Sequence, residues 1–129
     1  MTRNRPKIVF LDDSEDLREL MPIVLQTMLG VDCMCFASVM EMENQADEVL
    51  RAKVAILDIN LGPNVPDGID AFHWLKKHGF QGKIFFLTGH ARTHPQLALA
   101  QTNGVEIFEK PLHPDKLISF VSRALNETT

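Results

Sequence analysis

Short apolar runs alternate with segments of helical periodicity five times along this chain, and this alternation constrains the fold more than any other feature. After the first run, apolar residues recur at helical spacing from Leu17 to Met28, and Gly30 is a typical helix stop. Strictly alternating strand and helix units predict a parallel sheet with helices on both faces. We therefore predict an α/β fold with a single doubly wound, five-stranded parallel sheet flanked by five helices.

The composition of each run predicts its place in the sheet. The first, third and fourth runs are continuously apolar, as central parallel strands are, whereas Glu106 and Glu109 interrupt the fifth and indicate an edge. Pro22 lies inside the first helix and is expected to kink it or to remove one backbone hydrogen bond. The predicted strands cover 8–11, 32–37, 54–57, 84–87 and 105–109. The predicted helices cover Leu17 to Met28, Met42 to Leu50, a segment ending near His78, Pro95 to Asn103, and the segment from His113 onward.

Size and charge restrict the class of protein. The chain has 129 residues, which suits one domain over 1–129 with no effector domain, and its net charge of −4 gives no reason to expect binding to nucleic acid or to an anionic membrane. We expect a cytoplasmic protein, because no apolar stretch is long enough to span a bilayer. Cys33 and Cys35 point the same way along one strand, which does not suit a disulfide, so we interpret them as small buried thiols.

Residues with chemical functions end or follow four of the apolar runs. Because the carboxyl ends of parallel strands lie along one edge of a sheet, where open α/β sheets bind ligands, these side chains are expected to converge. Three carboxylates, one hydroxyl and one ammonium group in one small site suit a divalent metal ion and a phosphoryl group. The residues are Asp12, Asp13, Asp58, Thr88 and Lys110.

The carboxylates themselves indicate how such a site works. Three ionised groups close together repel one another, and a hard cation relieves that repulsion. Mg²⁺ prefers oxygen ligands and keeps open positions for phosphate oxygens, so Asp13 and Asp58 are the expected direct ligands. Asp58 is then the nucleophile that becomes an aspartyl phosphate, and Mg²⁺ and Lys110 offset the charge on the phosphoryl oxygens.

These residues, in this order and close to this spacing, resemble the response-regulator receiver domain of two-component signalling, in the manner of a stand-alone chemotaxis regulator. The resemblance covers nearly the whole chain and implies a flavodoxin-like sheet with strand order 2-1-3-4-5. It also implies that the carbonyl of Asn60 binds Mg²⁺, while Asp12 acts mostly through water. The implied phosphoryl donor is a histidine kinase or a histidine phosphotransfer protein.

The resemblance also implies how the signal leaves the site. The Thr88 hydroxyl would bond to the phosphoryl group, and the change would reach a downstream partner through the surface of the fourth helix, fifth strand and fifth helix. Such a surface also allows a phosphorylation-dependent dimer. The chain departs from the family at Ile107, where an aromatic residue is usual, and in the loop from Asn60 to Gly68, which is about two residues longer. The family also usually has a cis bond between Lys110 and Pro111.

Two other functions remain open from the sequence. A small phosphatase that turns over through an aspartyl phosphate, like haloacid-dehalogenase relatives, would carry its nucleophile after the first strand, the reverse of the order here. An interaction module that keeps the fold but signals without phosphate is the second, and Ile107 favours it slightly. Our prediction is a switch that catalyses only its own phosphorylation and slow dephosphorylation, and is otherwise not an enzyme.

Overall fold

The computed structural model describes residues 7–59, 61, 66–89, 105–110 and 113–127, without the side chain of Glu127. Five strands and five helices lie within these residues. The strands are β1 (Lys7–Leu11), β2 (Asp32–Phe36), β3 (Val54–Asp58), β4 (Lys83–Thr88) and β5 (Glu106–Glu109). The helices are α1 (Glu15–Leu29), α2 (Val39–Glu43), α3 (Ala46–Leu50), α4 (Gly68–Lys77) and α5 (Pro114–Glu127).

The strands form one sheet in the order β2-β1-β3-β4-β5, and every neighbouring pair is parallel. This order confirms the predicted flavodoxin-like topology. All five residues of β3 are buried, whereas the described residues of β5 are half-buried or exposed, as the two glutamates of that run predict. The register pairs Leu11 with Leu57 and Asp58 with Leu87, so β1, β3 and β4 end side by side.

The core lies on both faces of the sheet, because successive residues of a strand point to opposite faces. One face packs against α2, α3 and α4 through residues such as Val9, Leu11 and Leu57. The other face packs against α1 and α5 through residues such as Ile8 and Phe10. The two layers of helices therefore hold the sheet in place and leave the carboxyl ends of its strands to form a site.

Helix α1 begins and ends where local chemistry requires it. The side chain of Ser14 accepts a hydrogen bond from the backbone N–H of Leu17, which caps the first turn. Gly30 closes the helix with a φ of 66°, a conformation that glycine adopts without steric cost. The helix continues through Pro22, which has no N–H to donate to the carbonyl of Arg18. The helix therefore lacks one backbone hydrogen bond, as predicted, but continues from Glu15 to Leu29.

The predicted second helix was wrong in one respect, because the structure divides it into α2 and α3. Asn44 ends α2, and Gln45 leaves the helical conformation with φ −113° and ψ 35° before α3 begins. Asparagine is a weak helix former whose side chain competes for backbone hydrogen bonds, so the break falls where the propensity is lowest. The predicted helix from Pro95 to Asn103 lies outside the described residues.

Helix α4 starts directly against the end of β3. The Asp67 side chain caps it by accepting the backbone N–H of Asp70, and the Asp70 side chain in turn accepts the backbone N–H of Asp67. The N–H of Gly68 donates to the carbonyl of Ile59, and a Cβ at Gly68 would lie 2.4 Å from the carbonyl oxygen of Asp58. Only glycine therefore lets this helix approach the strand that carries Asp58.

We predict that Gly68→Ala destabilises the fold by about 1–3 kcal/mol, because the added methyl group meets rigid backbone. The matched control is Gly89→Ala, since a Cβ at Gly89 has no neighbour within 4 Å. Urea unfolding followed by circular dichroism measures both changes. Equal midpoints for the two variants would contradict the close approach of α4 to β3.

Candidate functional site

The junction between β1 and α1 holds Asp12 in a fixed position. Asp12 is fully buried, and its backbone N–H donates to the carbonyl of Phe36 over 3.1 Å. One carboxylate oxygen, Oδ1, accepts the backbone N–H of Ser14 at 2.9 Å. The Arg18 guanidinium donates through Nη1 to the Asp12 carbonyl at 3.0 Å. Backbone and side chain of this acid are thus both oriented before any ligand binds.

Three carboxylates meet at this edge of the sheet. Asp58 is the last residue of β3 and only 2% exposed, whereas Asp13 is exposed. One oxygen from each of Asp12, Asp13 and Asp58 lies within 4.8 Å of the other two. The alignment of β1 with β3 produces this convergence, because both strands end at the same level of the sheet.

Lys110 supplies the positive charge of the site. Its Nζ donates to Oδ2 of Asp58 at 3.0 Å and forms an ion pair with Oδ2 of Asp12 at 2.8 Å. The backbone N–H of Lys110 donates to the carbonyl of Thr88, which ties the residue after β5 to the end of β4. One ammonium group thus joins the ends of β1 and β3, although Lys110 itself follows β5.

Burial and charge act in opposite directions on Lys110. Partial burial lowers the pKa of its ammonium group, but the contacts with Asp12 and Asp58 together raise it more, so the pKa of Lys110 ends above its ordinary value. The ammonium group is therefore charged at neutral pH. Three carboxylates against this one cation leave the cluster with an excess of negative charge.

The donor set of the cluster fits a hard divalent cation. Carboxylate oxygens are the ligands that Mg²⁺ prefers, and one exposed acid leaves the site accessible from solvent. Oδ2 of Asp12 is buried and, among the described residues, has the ion pair with Lys110 but no hydrogen bond in good geometry. Such an oxygen has spare capacity for a cation or its bound water. Asn60, the fourth predicted ligand, lies outside the described residues.

Thr88 lies at the same edge of the sheet. It is the last residue of β4 and fully buried, and its neighbour in the chain, Leu87, is the register partner of Asp58. The Leu87 carbonyl accepts the N–H of Ile59, which keeps the ends of β3 and β4 together. Four of the predicted side chains are therefore brought directly together, and Thr88 belongs to the strand beside Asp58.

Comparison with known proteins agrees with this geometry. The family model described as the response regulator receiver domain matches residues 8–122. This chain belongs to the response regulator receiver family. Receiver domains are the phosphorylation-based switches of two-component signalling, and the predicted resemblance is thereby confirmed.

Individual relatives support the same assignment. The chain is 26% identical over 124 residues to the response regulator protein TodT of Pseudomonas putida, covering 95% of this chain and 52% of that protein. It is 26% identical to the putative response regulator NtrX-like of Rickettsia bellii, covering 94% of this chain and 25% of that protein. The chain thus spans about half the length, or less, of these curated relatives.

A solved structure matches over nearly the whole chain. The response regulator receiver protein of Pseudoalteromonas atlantica is 25% identical, with a TM-score of 0.79 that covers 96% of this chain and 100% of that one. Within the described part of this receiver domain, no helix has the length and apolar character to cross a membrane.

In this receiver domain the side chains of Ile107 and Phe108 in β5 lie on opposite faces of the sheet, as the alternation of a strand predicts. Ile107 faces the core shared with Phe86, on the side of α2 to α4. Phe108 faces the opposite side, where its ring lies 5.4 Å from Phe85 and 4.2 Å from Phe120 between centroids. The bond between Lys110 and Pro111 and the loop residues 62–65 lie outside the described residues.

Sequence reasoning did not identify Arg18, Ser14 or Gly68 as parts of the site. Ser14 was detectable, since serine before an acidic first turn is a common helix cap. Arg18 carries no comparable signal, because its contact with the Asp12 carbonyl depends on how α1 packs against β1. Gly68 stands out only once the distance between α4 and β3 is known.

We predict that Lys110→Met lowers the free energy of unfolding by about 1–3 kcal/mol at pH 7, because buried carboxylates lose their cation. Lys116→Met, on the exposed side of α5, is the matched control and should cost little. Urea unfolding from pH 7 to 11 measures both.

The raised pKa of Lys110 determines how the stability difference between wild type and Lys110→Met changes with pH. Because the pKa of Lys110 is raised in the folded protein, its stabilisation is fully present below the ordinary value of 10.5 and is lost as the pH rises through the higher folded value. The difference between wild type and Lys110→Met should therefore stay constant up to about pH 10 and shrink above it. A difference that grows with pH would contradict the ion pair.

Proposed function

We propose that this receiver domain is a signalling switch that accepts a phosphoryl group on Asp58 from the phosphohistidine of a histidine kinase or histidine phosphotransfer protein. The observation that carries the proposal is the contact between Lys110 and Asp58, set beside two further carboxylates within 4.8 Å. A buried acid with an adjacent cation is poised for phosphoryl transfer rather than for solvation at a surface.

Each residue of the site has its own role in phosphoryl transfer. A carboxylate oxygen of Asp58 attacks phosphorus in line while the bond from phosphorus to the donor imidazole breaks, which gives an aspartyl phosphate. The ammonium group of Lys110 lies where it can offset charge on the phosphoryl oxygens. Asp12, Asp13 and Asp58 would hold Mg²⁺, with the Asn60 carbonyl as a further ligand. When bound, the ion neutralises charge on both the carboxylates and the phosphoryl group.

The output begins at Thr88. Its place at the end of β4 supports a role in which its hydroxyl donates a hydrogen bond to the new phosphoryl group and draws its loop inward. Because Ile107 stands at the usual aromatic position, transmission runs through the loop after Thr88 toward the surface around the predicted Pro95 to Asn103 helix, β5 and α5. A downstream protein, or a second phosphorylated copy, recognises the changed surface.

The domain acts on no separate substrate in this proposal. It catalyses its own phosphorylation and slow dephosphorylation, in the cytoplasm, with protein partners rather than nucleic acid or membrane. The net charge of −4 is consistent with that choice of partners.

We predict that Mg²⁺ raises the melting temperature of the wild-type domain, because a ligand that binds only the folded state stabilises it. At about a hundred times its dissociation constant the ion adds roughly 2.7 kcal/mol. Asp13→Asn should remove most of the shift, while Asp47→Asn, on the exposed face of α3, should retain it. Differential scanning fluorimetry with Mg²⁺ and with Na⁺ at equal ionic strength separates binding from screening. Identical shifts for both variants would contradict the assigned cation site.

We predict that acetyl phosphate adds one phosphoryl group to the domain when Mg²⁺ is present, and that Asp58→Asn abolishes this gain. Intact-protein mass spectrometry detects the product directly. Asp47→Asn should be phosphorylated like the wild type, which controls for a general loss of acidic charge.

Other outcomes would favour the rival functions. No gain of mass from acetyl phosphate or from any phosphorylated histidine protein, with partner binding unchanged by either, would indicate an interaction module that signals without phosphate. Multiple turnover of a phosphomonoester would indicate a phosphatase instead.

A further inference from the structure

The two cysteines of β2 form a close thiol pair that phosphoryl transfer does not use. Their sulfur atoms lie 3.8 Å apart, and both cysteines are free and half-buried. They stand on the face of the sheet that packs against α1, beside Ile8 and Phe10 of β1. The sequence-based expectation of buried thiols is met only in part, because β2 is an edge strand of the described sheet and leaves them partly open to solvent.

The two thiols have different surroundings. The hydrogen bond with Cys33 lowers the pKa of Cys35, partial burial opposes this, and the charge of Arg18 lowers it further. The same hydrogen bond, together with burial, raises the pKa of Cys33. Arg18 is itself held by its bond to the Asp12 carbonyl. The charge of Arg18 thus favours the thiolate of Cys35, and the sulfur of Cys33 is in direct contact with the sulfur of Cys35.

These surroundings favour oxidation over metal binding. A thiophilic ion such as Zn²⁺ needs about four ligands, and among the described residues the cysteine pair has no third histidine, cysteine or acid grouped with it. The guanidinium of Arg18 would also repel a cation. It stabilises a thiolate instead, which is the species that attacks peroxides.

We propose that Cys33 and Cys35 are a site of reversible oxidation by hydroperoxides, with Cys35 as the attacked thiol and Cys33 as the resolving one. The Cys35 thiolate attacks the O–O bond and becomes a sulfenic acid, and the released alkoxide or hydroxide takes a proton from water. The Cys33 sulfur then attacks the Cys35 sulfur, the S–O bond breaks, and water leaves with the Cys33 proton. Two electrons pass from the two sulfurs to the peroxide.

The strand geometry does not suit a permanent disulfide, but it leaves a transient and strained one attainable. Residues two apart on a strand have Cα atoms about 6.6 Å apart. This is close to the upper limit of about 6.8 Å for a disulfide. Closure therefore requires β2 to pucker at Met34, and an edge strand can do this because only β1 restrains it among the described strands. Strained disulfides are readily reduced, so the bond is a reversible modification and not a structural crosslink.

The test treats the reduced full chain with hydrogen peroxide, followed by trypsin and mass spectrometry. Cleavage after Arg18 and Arg51 releases one peptide that contains both cysteines. We expect this peptide to lose two hydrogen atoms, whereas oxidation of its methionines adds oxygen. Reduced glutathione should restore the original mass. The folded chain should react about three- to tenfold faster than the same chain in urea, because only the fold places the charge of Arg18 where it acts on Cys35.

Single variants assign the roles. In Cys33→Ser, Cys35 should accumulate as sulfenic acid that a dimedone probe traps, while Cys35→Ser should lose the fast reaction. Arg18→Met keeps the apolar stem and should slow the oxidation by about three- to tenfold. Circular dichroism verifies that each variant is folded. Equal rates in the folded and unfolded wild type, sulfenic acid that persists in the wild type, or disulfides only between chains would each overturn the proposal.

Discussion

The ion pair of Lys110 with the two buried aspartates is the interaction on which the site depends. Asp12 and Asp58 are almost inaccessible to water, and a carboxylate in such a place is unfavourable unless a cation or hydrogen-bond donors compensate it. Lys110 compensates both, and its backbone N–H also binds the carbonyl of Thr88. The ends of β1, β3 and β4 are therefore joined through one residue, and so the geometry of the site and the packing of the sheet cannot vary independently.

Much of this arrangement was accessible from sequence because it follows from periodicity. Continuously apolar runs mark the central strands, Glu106 and Glu109 mark an edge, and the carboxyl ends of parallel strands share one edge. The convergence of Asp12, Asp58 and Lys110 follows from those facts together with the family resemblance. The division between α2 and α3 was not accessible, because the apolar pattern continues across Asn44 and Gln45 while the backbone does not.

The contacts that sequence reasoning missed are those that depend on distances between elements. Arg18 donates a hydrogen bond to the carbonyl of Asp12, and its charge lowers the pKa of Cys35. Nothing near Arg18 in the sequence indicates either interaction. Gly68 is an ordinary first residue of a helix until the carbonyl of Asp58 is found where its side chain would be. The partial exposure of Cys33 and Cys35 likewise depends on the position of β2 at the edge of the sheet. Local propensity does not predict such distances, because they depend on how the helices pack against the sheet.

The placement of Lys110 has a consequence for how the protein is made. Lys110 lies 52 residues after Asp58, and Asp12 comes earlier still. Domains emerge from the ribosome with their N-terminal strands first, so β1 and β3 can pair while the last strand is still being synthesised. During that interval the two inward-facing carboxylates have no lysine to compensate them. The site is therefore complete only when Lys110, directly after β5, reaches these carboxylates, and α5 completes the fold after that.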